Sequence, residues 1–215
     1  MIGTCWTAAP EGVTARIVEV EVDCREQVKP GIVFVGLPDG SVKESRDRVK
    51  TALRNSGYDF PGSRRVVVNL APADLRKEGP SFDLAFAVGL LLATGQVDAP
   101  RVRDHLLAGE LSLDGRIRPV RGVLCMADRA ARGGRWTGIL VPPENAAEAS
   151  LARGLRVVPV ATLRDAIMFL IGAEEAAPVP PGPAGGDRLS AEGLLRGARA
   201  GGRRPRGAAG RGRVA

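Results

Sequence analysis

The chain has 215 residues, of which 44% are hydrophobic and only 4% aromatic, and its formal net charge is +7. Its longest apolar run, residues 84–93, is too short for a membrane span, which needs about 20 residues. Three separated cysteines without a Cys-x-x-Cys pair argue against a disulfide framework or a zinc site, and we expect a soluble cytoplasmic protein without a membrane partner.

The composition changes after Gly172. Residues 1–172 alternate apolar segments with short turns and carry +3, whereas the remaining residues hold eight arginines against four acids and carry +4. We expect a folded domain over 1–172, a Pro/Gly linker over 173–186 and a disordered Arg/Gly/Ala-rich tail over 187–215. Two interpretations of the tail stay open. It is either an RGG-like nucleic-acid-binding segment or the product of a frameshift or truncation, since its residue types share GC-rich codons.

The first half of the domain predicts strands separated by one helix. Alternation of apolar and polar residues predicts a strand over 15–22, and a more buried strand is predicted over 31–36. Ser41 and Glu44 have the spacing of a capping box, which predicts that a helix begins there. Residues 65–70, which are mostly apolar, predict a central strand.

The second half predicts alternating strands and helices. Residues 82–94 are apolar all round, which indicates a buried helix. Asp114-Gly115 predicts a hairpin that joins strands over 106–113 and 116–120. The later elements are predicted as helices over 123–132, 144–152 and 163–171 and strands over 138–141 and 156–160. This order indicates an α/β (α+β) fold with parallel strands and right-handed crossovers.

Two classes of site are excluded by missing residues. No Gly-Lys dipeptide occurs, so the sequence lacks the phosphate-binding loop of P-loop ATPases. His105 is the only histidine, which excludes a two-histidine metal site, and we expect it at the surface or at a strand edge. We therefore expect neither a cofactor nor a metal in this chain.

The helix predicted after Ser41 is basic. Asp39 and Glu44 crowd its N-terminal end and the spacing fits no phosphate fingerprint, so a solvated amphipathic helix is the simpler interpretation. Its basic residues are Lys43, Arg46, Arg48, Lys50 and Arg54. Of these, Lys43, Arg46, Lys50 and Arg54 form a candidate contact surface for nucleic acid or a partner subunit.

Ser81 lies where the turn in KEGPSFDLA leads into the predicted buried helix. A serine nucleophile needs a base, and Lys77 is the lysine nearest in sequence. Since Lys77 has charged neighbours, we expect its amine to be solvated. Asp83 suits the capping of the buried helix. Two interpretations follow: Ser81 is a helix cap, or it is a nucleophile that uses Lys77.

The same segment resembles the KDGPSAG motif of Lon-type Ser-Lys proteases, with Ser81 at their nucleophile. The segments GELSLDGRIRPVRGVL and GILVPPENAAEA also resemble that domain. The position of the Lon catalytic lysine falls on Leu124, and a glycine of the motif is replaced by Asp83. Loss of the base costs a serine protease about a million-fold in rate. The resemblance therefore implies the Lon fold without its activity.

A more extensive resemblance covers nearly all of residues 1–172. The segments VGLPDGSVKESRDRVKTALRNSG and VVVNLAPADLRKEGPSFDLAFAVGLL are similar to the N-terminal domain of the YifB/ComM family of magnesium-chelatase-like AAA+ ATPases. This resemblance implies a fold like domain 2 of ribosomal protein S5 and the Lon proteolytic domain. In the family, an AAA+ module and a chelatase-type domain follow, and members include hexameric DNA helicases that promote branch migration during natural transformation.

The resemblance implies a non-catalytic accessory domain, and we expect this chain to stop before the ATPase module. ATP and magnesium are then expected only for that missing module, with DNA as a partner and a hexamer as the full-length assembly. Two alternatives stay open. One is a degenerate Ser-Lys hydrolase that uses Ser81, and the other is a stand-alone nucleic-acid-binding module.

Overall fold

A computed structural model describes residues 1–27, 29–175 and 179. All of these residues belong to one unit, Met1–Ala184. The predicted linker lies outside the described residues except for 173–175 and 179, and so does the whole predicted tail. Over the described residues, no helix has both the length and the apolar character that crossing a membrane requires.

The described residues form nine strands and five α-helices. The strands are β1 Ile2–Glu11, β2 Thr14–Glu26, β3 Gly31–Val35, β4 Arg64–Ala71, β5 His105–Leu107, β6 Glu110–Leu111, β7 Ile117–Arg118, β8 Gly138–Val141 and β9 Arg156–Pro159. The helices are α1 Gly40–Asn55, α2 Asp83–Ala93, α3 Val123–Gly133, α4 Pro143–Ala149 and α5 Leu163–Leu170. Short 3-10 turns cover Pro80–Phe82 and Pro100–Asp104.

Seven of the strands form one mixed sheet in the order β3-β4-β2-β1-β5-β8-β9. β2 runs antiparallel to both of its neighbours, β1 and β4. The other neighbouring strands are parallel. β6 and β7 form a separate antiparallel pair. The predicted mixed α/β fold is therefore confirmed, and parallel pairs occur in both halves of the chain.

Helices pack on both faces of the sheet. The first core joins alternate residues of β2, such as Val18, Val20 and Val22, to residues of α1, α2 and α5. The second core joins other sheet residues, such as Ala8 and Ile139, to α3 and α4. Because successive residues of a strand point to opposite faces, one sheet supplies both cores.

Some predicted strands are placed differently in the structure. The strand over 31–36 is not buried but is the edge strand β3, in which Val33 and Val35 are exposed. The strand over 106–113 divides into β5, which joins the large sheet, and β6, which pairs with β7. β1 has no counterpart among the predicted elements, although it pairs with β2 along its whole length.

The predicted capping box at the start of α1 is wrong. Helix α1 begins at Gly40, and its cap is Asp39, whose Oδ1 accepts a 2.8 Å hydrogen bond from the Val42 amide. A capping box occurs instead at α5, where Thr162 and Asp165 each accept a hydrogen bond from the other's amide. Asp39 is preferred because its short carboxylate reaches the free amides of the first turn.

The close contact between β1 and α2 yields a stability prediction. A Cβ atom at Gly3 would stand 2.1 Å from the carbonyl oxygen of Gly89, which is backbone and cannot rotate away. We expect Gly3→Ala to lower the free energy of unfolding by about 2 kcal/mol, because the added methyl group would push α2 away from β1. Urea denaturation measures the change.

Gly40→Ala is the matched control, since a Cβ there meets nothing within 4 Å. In the first turn of α1 this change should be neutral or slightly stabilising. Equal losses in the two variants would contradict the close packing of α2 on β1.

Candidate functional site at the turn before helix α2

The turn that contains Lys77 and Ser81 is held against the loop that precedes α1. The Lys77 amide donates to the carbonyl of Leu37 at 3.1 Å, and the Asp39 amide donates to the carbonyl of Lys77 at 3.0 Å. The Asp39 carboxylate also accepts from the Gly79 amide at 3.4 Å. The carboxylate that caps α1 therefore also fixes the backbone of the turn.

The expectation that the Lys77 amine is solvated is wrong. Lys77 is fully buried, and its Nζ donates a hydrogen bond to the carbonyl of Pro72. Burial lowers the pKa of Lys77 below its ordinary value, and the nearby Asp74 carboxylate opposes this shift. The parallel bridge between Lys77 and Pro38 explains the burial, because it places the residue between two backbone segments instead of at the surface.

Ser81 is buried within the 3-10 turn Pro80–Phe82. The expectation that it caps a helix is wrong, because neither this turn nor α2 has a side-chain cap. No hydrogen bond joins the Ser81 hydroxyl to any other residue that the structure describes. The Lys77 amine is directed to a backbone carbonyl, so the two side chains do not form a hydrogen-bonded nucleophile and base.

Asp83 is the most highly connected carboxylate of this region. It is fully buried and opens α2, but it does not cap the helix as the sequence predicted. Arg48 donates to it from Nε at 2.7 Å and from Nη2 at 3.1 Å. The Ser45 hydroxyl donates to Oδ1, and the Leu111 amide donates to Oδ2 at 3.2 Å.

These four donors match the capacity of the carboxylate. An ionised carboxylate has about four lone-pair sites, two on each oxygen. In this structure each oxygen of Asp83 accepts two hydrogen bonds. The carboxylate therefore has no free position for a substrate proton, and its role is to join α1, α2 and β6.

Arg48 and Ser45 were not predicted as partners of Asp83. The sequence placed Arg48 among the basic surface residues, but its side chain is only 21% exposed. The signal that could have found the pair is Asp83 itself, because a carboxylate within an apolar helix must have a partner.

The position that the Lon resemblance assigns to the catalytic lysine holds no amine. Leu124 is half-buried in the first turn of α3, and it packs against the second core. Its amide donates to Glu148 at 3.0 Å. A leucine in this environment contributes packing and cannot accept a proton.

His105 was expected at the surface or at a strand edge, but it is buried at the start of β5. Its Nδ1 lies 2.9 Å from the carbonyl oxygen of Arg101, and its ring meets the Phe169 ring edge to face at 5.1 Å. Burial lowers the pKa of His105. The only histidine is therefore a core residue.

Three of the basic residues of α1, at positions 46, 50 and 54, lie along one side of the helix. Arg46 and Arg54 are exposed, and Lys50 is half-buried with its Nζ 5.8 Å from the centre of the Phe60 ring. Arg46 pairs with Asp47 at 3.2 Å. Among the described residues, Lys50 and Arg54 form no ion pair. Lys43 lies in α1, but its side chain is outside the described part of the structure.

Comparisons with known proteins identify related sequences. A family model described as subunit ChlI of Mg-chelatase matches residues 20–145. YifB of Salmonella typhimurium is 47% identical over 145 residues, which are 67% of this chain and 28% of YifB. The competence protein ComM of Haemophilus influenzae is 41% identical over 170 residues, which are 79% of this chain and 33% of ComM.

A more distant similarity supports the predicted Lon-like fold. A Lon protease of Xanthomonas oryzae is 27% identical over 172 residues, which cover 74% of this chain and 19% of the protease. The chain spans about a third or less of the length of the relatives that it matches. The comparisons therefore concern one domain of longer proteins.

The buried ion pair yields a second stability prediction. We expect Asp83→Asn to lower the free energy of unfolding by about 3 kcal/mol, because it removes the buried counter-charge of Arg48 and leaves only the exposed Glu44 at 4.0 Å. Thermal unfolding followed by circular dichroism measures the loss. Asp74→Asn is the control, since it breaks the exposed ion pair of Asp74 with Arg16.

The control should cost much less than Asp83→Asn, because solvent screens an exposed pair. If Asp83→Asn is no worse than Asp74→Asn, the buried pair does not hold the three elements together.

Proposed function

Because this chain belongs to the YifB/ComM family of magnesium-chelatase-like proteins, we propose that it is a non-catalytic, N-terminal accessory domain of a DNA-remodelling ATPase. One relative is a competence protein, ComM of Haemophilus influenzae, and the role with DNA is part of this proposal. In this proposal, ATP and magnesium bind to an ATPase module outside this sequence, since the sequence has no phosphate-binding loop. Three free cysteines are compatible with a cytoplasmic location.

The observation that supports a non-catalytic role is the direction of the Lys77 amine. It donates to the Pro72 carbonyl, and the Ser81 hydroxyl has no base among the described residues. Leu124 occupies the position that Lon proteases give to their lysine. A serine hydroxyl without a base is a weak nucleophile.

A degenerate hydrolase is the second candidate. Ser81 and Lys77 are both buried, and burial lowers the pKa of the lysine, which favours the neutral amine that a Ser-Lys enzyme requires. A rotation of the Lys77 side chain away from Pro72 would be needed before the amine could take a proton from the serine.

A covalent probe distinguishes these candidates. We expect a fluorophosphonate to label the wild-type protein no more than Ser81→Ala, and casein to remain intact with both, because no group activates the hydroxyl. In-gel fluorescence measures the labelling. Ser112→Ala, at another buried serine, is the matched control. The hydrolase would be established instead if the wild-type protein is labelled, Ser112→Ala keeps the labelling, and both Ser81→Ala and Lys77→Met abolish it.

A nucleic-acid-binding module is the third candidate, supported by the basic side of α1. Fluorescence anisotropy with duplex DNA tests it in the whole chain and in a chain that ends at Ala184, which keeps the complete unit. We expect that any affinity falls steeply with salt, because phosphate contacts release counterions. Affinity that disappears in the shorter chain belongs to the arginines beyond Ala184, and affinity that persists supports the module.

A further inference from the structure

Two arginines hold a carboxylate close to the end of α5. Arg101 donates from Nη2 to one oxygen of Glu175, and Arg156 donates from Nη2 to the other oxygen at 3.1 Å. Arg101 lies in the 3-10 turn before β5 and Arg156 is the first residue of β9, so the three side chains come from separate segments. The hydrogen bonds from Arg156 and Arg101 lower the pKa of Glu175. Two guanidinium groups that share one carboxylate have the chemistry of an anion site.

The two guanidinium groups are also held by contacts that do not involve Glu175. Their Cζ atoms lie 4.9 Å (Arg101) and 5.4 Å (Arg156) from the centre of the buried Phe169 ring, within the range of a cation–π contact. Arg101 donates from Nη1 to the Phe169 carbonyl at 3.2 Å. His105 supports both residues, because its ring meets the Phe169 ring and its Nδ1 lies 2.9 Å from the Arg101 carbonyl oxygen. The site therefore has a frame of its own.

The Glu175 carboxylate lies on the solvent side of this frame. The Glu175 side chain is 61% exposed, whereas the side chains of Arg101 and Arg156 are 31% and 42% exposed. Arg101 also donates to the backbone carbonyl of Glu174 at 3.4 Å. Because water and salt weaken an ion pair that is this exposed, an anion from solvent can compete with Glu175 for the same donors.

A terminal phosphate group matches the two arginines better than a carboxylate does. Glu175 brings one negative charge and two oxygens to two positive groups. A terminal phosphate carries about −1.5 to −2 charges at pH 7 and has three acceptor oxygens. Guanidinium groups bind phosphate with the same two-bond geometry that they use for carboxylate. A carboxylate or a phosphate diester, with one charge each, balances only one of the two cations.

We propose that Arg101 and Arg156 form a binding site for a terminal phosphate group, and that Glu175 of the same chain occupies this site as an internal competitor. Phosphate then binds only to molecules in which Glu175 has left the arginines, so its apparent affinity falls with the fraction of such molecules. Glu175 is thus an autoinhibitory contact. The inference does not depend on the proposed function, since every residue of the site belongs to this domain.

Titration of the whole chain with inorganic phosphate tests the site. Heteronuclear NMR follows the arginine Nε–Hε signals while phosphate replaces chloride at constant ionic strength. We expect Glu175→Ala to bind phosphate roughly tenfold or more tightly than the wild type, because the internal competitor is removed. Dimethyl phosphate has one charge, as each phosphate of a nucleic-acid backbone does, and its affinity should increase less.

Glu174→Ala is the matched control, since it removes the same charge one residue earlier and leaves Glu175 in place. It should bind phosphate as weakly as the wild type. In the Glu175→Ala chain, Arg101→Gln and Arg156→Gln should each abolish the gain in affinity. Arg103→Gln, at an exposed arginine of the same 3-10 turn, should retain it.

Thermal unfolding shows which of these variants are folded. If Arg101→Gln does not fold, Arg101→Lys replaces it. This variant keeps the positive charge and should also weaken phosphate binding, because an ammonium group lacks the planar fork of a guanidinium.

Four outcomes would overturn the proposal. The first is a Glu175→Ala chain that binds phosphate no more tightly than Glu174→Ala. The second is a gain in affinity that survives the loss of either arginine of the site. The third is an equal gain for dimethyl phosphate, which would exclude selection of a terminal phosphate. The fourth is loss of the gain when the Glu175→Ala chain ends at Ala184, which would assign the binding to the arginines beyond that residue.

Discussion

The buried carboxylate of Asp83 is the constraint on which the rest of this region depends. A charge inside an apolar helix is tolerated only when donors replace its water, and here a guanidinium, a hydroxyl and an amide do so. These donors come from α1 and β6, so three elements distant in sequence must meet at one point. The apolar surface of α2 stabilises burial in general, but the carboxylate selects this arrangement from others that would bury the same surface.

The same constraint fixes the turn before α2 at both ends. Asp39 holds the amide of Gly79 while it caps α1, and Asp83 holds Arg48 two turns later along α1. The turn is therefore clamped to one helix at two places. Its residues have little freedom to rearrange, which is why the buried Lys77 can be satisfied by the Pro72 carbonyl without approaching Ser81. Ser81, which the resemblance places at the Lon nucleophile, is buried in this turn, and the Lys77 amine is directed to the Pro72 carbonyl.

The sequence predicts the periodic elements and not the elements made of small residues. The apolar content of the sequence predicts β4 and α2, and α5 begins at its predicted first residue, Leu163. β1 gives no such signal, because Gly3 and Cys5 face α2 where the backbone of Gly89 lies close to the strand. Two backbones can approach this closely only where the side chains are small. A run of small residues does not show the alternation of large apolar and polar residues by which a strand is predicted.

In the candidate site as well, the sequence predicts some features and misses others. Ser81 and Leu124 could be placed by resemblance, since a motif fixes residue types along the chain. The burial of Lys77 and His105 could not, because their neighbours in sequence are charged and their neighbours in space come from other segments. Charged residues in a sequence predict an exposed segment only when no other segment packs against its backbone. Here the bridge between Lys77 and Pro38 pairs the charged segment with the loop before α1. At such positions a resemblance identifies the residue types along the chain, but only the tertiary structure shows what their side chains contact.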